Sequence, residues 1–209
     1  MNCTLCESLL KTKADDFYFI CDTCGAYLKD QKFYLNDFQE KEIYEKHKND
    51  VNDIRYQNFT SPITNAILEK FDSNHLGLDY GCGTAPVISK VLKDSGYKTK
   101  LYDPYFYPNE NYINYHYDYI FSCEVFEHFY NPKQELEKLL SILHPKGALL
   151  IMTLVYDAET DANFKDWYYR KDPTHVFIYT KKTVEFIAER YNLKSKVKNN
   201  RMIVFENMD

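Results

Sequence analysis

Two groups of residues in this 209-residue chain have the types and spacing to do chemistry. The first is Cys3, Cys6, Cys21 and Cys24, two C-x-x-C pairs separated by residues 7–20. In a chain that starts on "MNCTLCESLLKTKADD", with no long apolar core of a secretory signal, paired cysteines point to a metal rather than to disulfides. Four thiolates at this spacing can close a tetrahedral zinc site and fold a segment too small to hold itself by burial alone. Gly25 in "CDTCG" allows the tight turn beneath a metal knuckle. Four protein ligands leave zinc no open position, so its expected role is structural; iron in the same cage is the alternative. Cys82 and Cys123 stand apart, and Cys82 reads as a small packing residue.

The second group begins in "LGLDYGCGTAPVISKVL", residues 76–92. An apolar run, a turn at Gly81 and Gly83, and a helical pattern together read as a nucleotide-binding strand, turn and helix. A dinucleotide fingerprint would place its last glycine where this chain has Pro86, and Asp79 sets a negative charge where a pyrophosphate would lie. The site suits a ligand that is cationic near the turn and carries a ribose further along. S-adenosylmethionine has an ammonium for Asp79 and no phosphates. Asp103, roughly 20 residues beyond the glycine turn, is placed for the ribose hydroxyls, although an aspartate before Pro104 also caps turns. In D-Y-G-C-G-T-A, with Ala85 at the third glycine position, the chain resembles the class I S-adenosylmethionine-dependent methyltransferases. The similarity covers roughly residues 40–209, with "LYDPYF" and "YDYIFSCEVFEHF". The ribbon, "YQNFTSPI" and "DPTH" resemble small bacterial methyltransferases with a cysteine-rich N-terminal ribbon.

That resemblance implies a cofactor wall made by Asp79, Gly81, Gly83, Asp103, Pro104, Tyr105, Cys123 and Glu124, with Glu127 and His128 beside it. A solvated helix start is the other reading of Glu124 and Glu127. Tyr105 or Phe106 could pack on an adenine. In "KDPTHVFIYT", Pro173 stiffens a turn and Asp172 or Thr174 can orient His175, whose ordinary pKa of ~6.5 suits removal of a proton from an acceptor. His175 could equally pin the loop by a hydrogen bond. His47, on an apolar helical stripe, is either a core histidine or a second pocket histidine.

These residues need a scaffold, and the pattern supplies an α/β one. "HLGLDY", "YKTKLYD", "YDYIFSC" and "GALLIMTLV" alternate with "TAPVISKVLKDSG" and "NPKQELEKLLSIL". Such alternation predicts a Rossmann-like, doubly wound, mostly parallel sheet. Upstream, residues 37–54 carry a helical period, and "SPITNAILEKF" reads as a further helix with Ser61 as N-cap and Pro62 in its first turn. Downstream, "LKSKVKN" and "RMIVFEN" predict a terminal antiparallel hairpin. Lys194, Lys196 and Lys198 would then share one face of an edge strand, discouraging sheet pairing or gripping phosphates. The expected organisation is a zinc ribbon over 1–36 and a catalytic domain over 37–209, with a substrate-side loop at 156–179.

Composition narrows the function. The net charge of -5 provides no global positive field for nucleic acid or anionic lipid, and no apolar run is long enough for a membrane span. A cytoplasmic protein with a small-molecule methyl acceptor is expected, with ribbon-guided action on RNA or a protein partner as the alternative. The 20 tyrosines and 14 phenylalanines, dense in "DPYFYPNENYINYHYDY", suit a dry pocket.

Overall fold

The computed structural model describes residues 1–46 and 49–208. His47 therefore lies outside the described residues. The chain opens with β1 (Thr12–Lys13), β2 (Tyr18–Ile20) and β3 (Tyr27–Lys29), an antiparallel set with Cys21 and Cys24 in its β2–β3 turn, and with Cys3 and Cys6 in a turn ahead of β1 closed by the Asn2–Leu9 bridge. Helix α1 (Asp37–Glu45) follows, begun by Asn36 and Gln39 in a reciprocal capping box. The next helix, α2 (Ile54–Lys70), starts at Asp53 and runs through Pro62, so Ser61 is no N-cap. A proline at 62 has no N–H for the carbonyl of Asn58. The Ser61 hydroxyl donates to that carbonyl instead, at 2.8 Å, and Thr60 donates to the carbonyls of Tyr56 and Gln57. Side-chain donors thus replace the missing backbone bond, and the helix continues.

Strand and helix then alternate as the pattern predicts: β4 (Leu76–Tyr80), α3 (Val87–Asp94), β5 (Lys98–Tyr102), β6 (Tyr117–Cys123), α4 (Pro132–Ser141) and β7 (Leu143–Met152). After β8 (Val155–Tyr156) and β9 (Phe177–Thr180) come α5 (Lys181–Arg190), β10 (Leu193–Lys198) and β11 (Met202–Asn207). The main sheet has the order β10-β11-β7-β6-β4-β5. Its β5, β4, β6 and β7 are parallel, while β11 runs antiparallel to both β7 and β10. The expected terminal hairpin is there. Lys194, Lys196 and Lys198 are exposed on its outer strand, where charge discourages further pairing.

Period-two alternation sorts the sheet's side chains into two cores. Ile120, Leu149, Ile151, Ile203 and Phe205 face Leu136 and Leu139 of α4 and Val184 and Ile187 of α5. Their neighbours Tyr119, Phe121, Leu150 and Met152 face Ile63 and Ile67 of α2 and Ile88 and Leu92 of α3. Helices on both faces bury both sides of the strands, which is why these runs are apolar at nearly every position. Among the described residues, no helix is long and apolar enough to cross a membrane.

The N-terminal ribbon shares a sheet with the body. Strands β1-β2-β3-β9-β8 form one five-stranded sheet, with Tyr27 opposite Ile178 and Leu28 opposite Phe177. The segment 156–179, read from sequence as a loop breaking the alternation, thus contributes two strands and an aromatic cluster of Tyr156, Phe164, Trp167 and Tyr169 around Tyr18.

Gly77 shows how tightly β4 is held. A Cβ there would lie 2.1 Å from the ring of Tyr119, which is fully buried beneath Phe71. Gly77→Ala should destabilise the protein by roughly 1–3 kcal/mol, the usual cost of overpacking. Urea unfolding would measure it; an unchanged midpoint would show that the Tyr119 ring can move aside.

Candidate active site

The sheet reverses direction at β4, whose neighbours β5 and β6 lie on opposite sides of it. In open α/β sheets, ligands bind beyond the carboxyl ends of strands at such a point. A cavity of about 1050 Å³ opens there, lined by the turns after β4, β5 and β6 and closed by residues of α1, α2 and the 168–175 segment. Gly81 and Gly83 occupy the left-handed region at φ +82° and +61°. A side chain at Gly81 would strike Val125. The bare turn brings backbone to the cavity wall.

Asp103 has a role that its spacing did not reveal. Its carboxylate accepts from the backbone N–H of Gly83 at 3.0 Å, Tyr105 at 2.9 Å and Phe106 at 3.0 Å. It therefore caps its own turn and ties that turn to the glycine loop. An ionised carboxylate has about four acceptor positions, so one remains for a ligand hydroxyl. Pro104, Tyr105 and Phe106 line the cavity beside it. Asp79 sits behind the glycine turn, only 5% exposed, with the Ser89 hydroxyl donating to it at 2.7 Å. Burial, aided by the charge of Asp103 and opposed by Ser89, pushes Asp79 up to about 7.

After β6 the chain turns sharply. Glu124 has φ +53°, uncommon outside glycine, and its N–H donates to the Met152 carbonyl at 2.7 Å. This turn aims Glu124 at Arg201, 3.0 Å away, and starts the short helical turn Phe126–His128. Glu127 is fully buried, not solvated, and Cys123 and Glu124 line the cavity with it. The Tyr169 hydroxyl donates to Glu127 Oε1 and lies 3.3 Å from Glu124 Oε2. Burial raises the pKa of both glutamates, and the Glu127 charge raises Glu124 further.

His128 and His175 stand side by side, ring centroids 4.9 Å apart. His175 Nδ1 is 2.7 Å from the Tyr169 carbonyl, and His128 Nδ1 is 3.1 Å from that of Thr174. Burial, reinforced by His128, lowers His175 to about 4, well below the ordinary imidazole value. It is neutral at neutral pH, with a lone pair to offer. Asp172 accepts from the N–H and hydroxyl of Thr174, fixing the turn. The ribbon clamps the same segment: Tyr18 donates to the His175 carbonyl at 2.6 Å, and Lys29 to those of Pro173 at 2.6 Å and Asp172 at 3.3 Å.

Glu40 of α1 was not legible as a site residue. It is 5% exposed, accepts from Tyr130 at 2.5 Å and Tyr105 at 3.3 Å, and lines the cavity. A lone glutamate in a charged helix carries no motif; only the fold brings it here. The wall is strongly acidic, with Asp37, Glu40, Glu124, Glu127, Glu135 and Asp172, and among its described residues Lys138 is the one lysine or arginine.

A sequence family described as a methyltransferase domain matches residues 53–196. No curated protein sequence matches the chain. Among solved structures, the fold is similar to an O-methyltransferase family protein from Burkholderia thailandensis (TM-score 0.54, 12% identity, 82% of this chain and 63% of that one). It is similar to human N-acetylserotonin methyltransferase in complex with S-adenosylmethionine (0.54, 14%, 73% and 53%). It is also similar to the PH0226 protein of Pyrococcus horikoshii (0.50, 15%, 79% and 98%). The chain thus spans little more than half the length of the first two and nearly all of the third.

The raised pKa of Asp79 has a measurable consequence. The folded state keeps its proton up to about pH 7, whereas the unfolded chain loses it near ~4, so this residue's contribution to stability is lost as pH rises through that window. Asp79→Asn keeps the shape without the titration. Its melting temperature relative to wild type should therefore rise between pH 5 and pH 8.5. A constant difference would mean that Asp79 is ionised throughout.

Proposed function

Since the chain belongs to the methyltransferase-domain family, we propose that it transfers a methyl group from S-adenosylmethionine to an oxygen, nitrogen or carbon nucleophile of a small-molecule acceptor in the cytoplasm. The observation that carries this reading is a single cavity that joins the glycine turn and Asp103 to an acidic, aromatic wall. When bound, the cofactor supplies a methyl group on a sulfonium, already a good leaving group. The protein's task is then to align two molecules and exclude water.

Each wall has a part. Gly81 and Gly83 let the backbone approach the ligand, and Asp103 offers its remaining acceptor position to a ribose hydroxyl. Pro104 and Tyr105 flank the adenosine, and Cys123 and Glu124 lie toward the methionine end. Asp79 acts from behind the turn, where the ligand's ammonium would favour the ionised form of its buried carboxyl. His175 faces the acceptor with the lone pair of a neutral imidazole, available to an acceptor proton.

The ribbon fits zinc. Cys3 and Cys24 sulfurs are 3.6 Å apart, those of Cys6 and Cys21 are 3.4 Å apart, and all four lie within 4.8 Å of one another. Zinc–sulfur bonds of ~2.3 Å give a tetrahedron with edges of about 3.8 Å. We assign zinc a structural role: holding β3 in place for β9, and so setting the acceptor wall.

Incubation with labelled S-adenosylmethionine and fractionated cell extract tests the function. Label in a small-molecule fraction is expected; label confined to RNA or protein would overturn the small-molecule acceptor, and no label in any fraction would oppose the enzyme reading. Asp103→Ala should weaken S-adenosylhomocysteine binding in calorimetry by about 1.5–3 kcal/mol, the worth of a hydrogen bond to a charged group. Unchanged affinity would place the ribose elsewhere. Metal analysis should find about one zinc per chain, lost in the Cys21→Ser/Cys24→Ser variant. That variant should lose transfer at least ~10-fold while still binding S-adenosylhomocysteine, because the ribbon holds the acceptor wall and not the glycine turn. A folded wild-type ribbon without metal would refute the zinc assignment.

A further inference from the structure

Beyond the cysteine cluster, one other group of side chains among the described residues has the composition and proximity of a metal site. Glu127, His128 and His175 each present a ligand atom within 4.8 Å of the others. Both histidine Nε2 atoms lie 3.9 Å from Glu127 Oε1. The ring orientations fix the chemistry. A backbone carbonyl can only accept, so Nδ1 of His128, facing Thr174 O, and Nδ1 of His175, facing Tyr169 O, carry the protons. In the neutral rings each Nε2 is then a bare lone pair. Two lone pairs converge on one carboxyl group, whose Oε1 also accepts from Tyr169.

Glu127 supplies an independent observation. Its Oε2 is buried and has no hydrogen-bond partner among the described residues, although the residue is 0% exposed. A buried carboxylate oxygen left unpaired is costly and calls for a proton or a cation. Oε1 is held by the Tyr169 hydroxyl, which fixes the carboxylate's plane. Metal-ligating histidines commonly donate the other ring N–H to a carbonyl or carboxylate, and both rings here do so.

We propose that Glu127, His128 and His175 bind one divalent transition-metal ion on the acceptor wall of the cavity. Two imidazoles and a carboxylate suit zinc, iron(II), cobalt(II) or manganese(II) better than magnesium or calcium, which favour all-oxygen sets. With bonds of ~2.0–2.2 Å the ligand atoms would sit about 3.4 Å apart, so the two 3.9 Å nitrogen–oxygen separations need to close by about half an ångström, and the nitrogen–nitrogen separation, within 4.8 Å, by at most about 1.4 Å. Three protein ligands leave the ion an open position, and the His175 lone pair, given to the ion, then no longer serves as the proton acceptor proposed above. Resting on the methyl-transfer reading of this cavity, the inference narrows the acceptor to one whose nucleophilic oxygen can take that position.

Cobalt(II) separates this site from the ribbon. The full-length protein, its cysteine site first loaded with zinc, would be titrated with cobalt(II) alone. The expected result is one cobalt per chain, with visible d–d bands and without thiolate charge-transfer absorption. His128→Gln, His175→Gln and Glu127→Gln should each weaken cobalt binding at least ~10–100-fold. Zinc content should stay at one per chain. No cobalt bound by the wild type, a thiolate spectrum, or unchanged affinity in all three variants would overturn the site. S-adenosylhomocysteine calorimetry on the same samples keeps the two readings apart. S-adenosylhomocysteine binding without cobalt binding defeats the metal site alone, whereas cobalt binding without S-adenosylhomocysteine binding defeats the methyl-transfer reading and leaves a metal site of another purpose.

Discussion

The histidine side of the cavity depends on one short backbone pairing, that of β3 with β9. It is two residues long in the sheet register and is extended by the Lys29 N–H donating to the Val176 carbonyl at 2.9 Å. From this seam Tyr18 and Lys29 reach the carbonyls of Pro173 and His175, and Val176 in turn donates to the carbonyl of Glu127. Four cysteines, a ribbon strand, a turn and two histidines thus form one mechanical chain. The pocket half built by β4 and β5 is held by Asp103 and the parallel sheet, and Leu78 and Tyr80 of β4 share a core with Leu5 and Leu28 of the ribbon.

Within that frame the protein concentrates groups that a purely structural design would avoid. Asp79, Glu124 and Glu127 are carboxyls withdrawn from water, and Glu124 also holds an unfavourable backbone conformation. Each would be cheaper as an amide or an apolar residue. One arginine, Arg201, is close enough to pair with Glu124. The remaining negative character is directed at a cavity, which makes the cavity a place where cationic ligands gain most from binding.

How much of this was legible in the sequence follows from the range of each interaction. The cysteine spacing, the glycine turn and the Asp103 position are local, so reading along the chain finds them. The alternation of apolar runs predicted the main sheet because burial on both faces leaves few polar positions. Pro62 misled because proline's cost depends on whether neighbouring side chains can satisfy the freed carbonyl, and Ser61 does so. Glu40, the pairing of β9 with the ribbon and the convergence of His128 on His175 join residues tens to more than a hundred positions apart. No period or motif encodes such a meeting.

The seam between β3 and β9 also sets an order of events during synthesis. The residues of β3 leave the ribosome first, and their partner strand follows about 150 residues later, a delay on the order of 10–30 s at ordinary elongation rates. The four cysteines can close the ribbon at once, well before the rest of the chain exists. Through that interval one edge of a finished small sheet stays open, offering unpaired N–H and C=O groups to any extended chain nearby. The β3 edge is thus the part of the early fold that waits longest for its own partner.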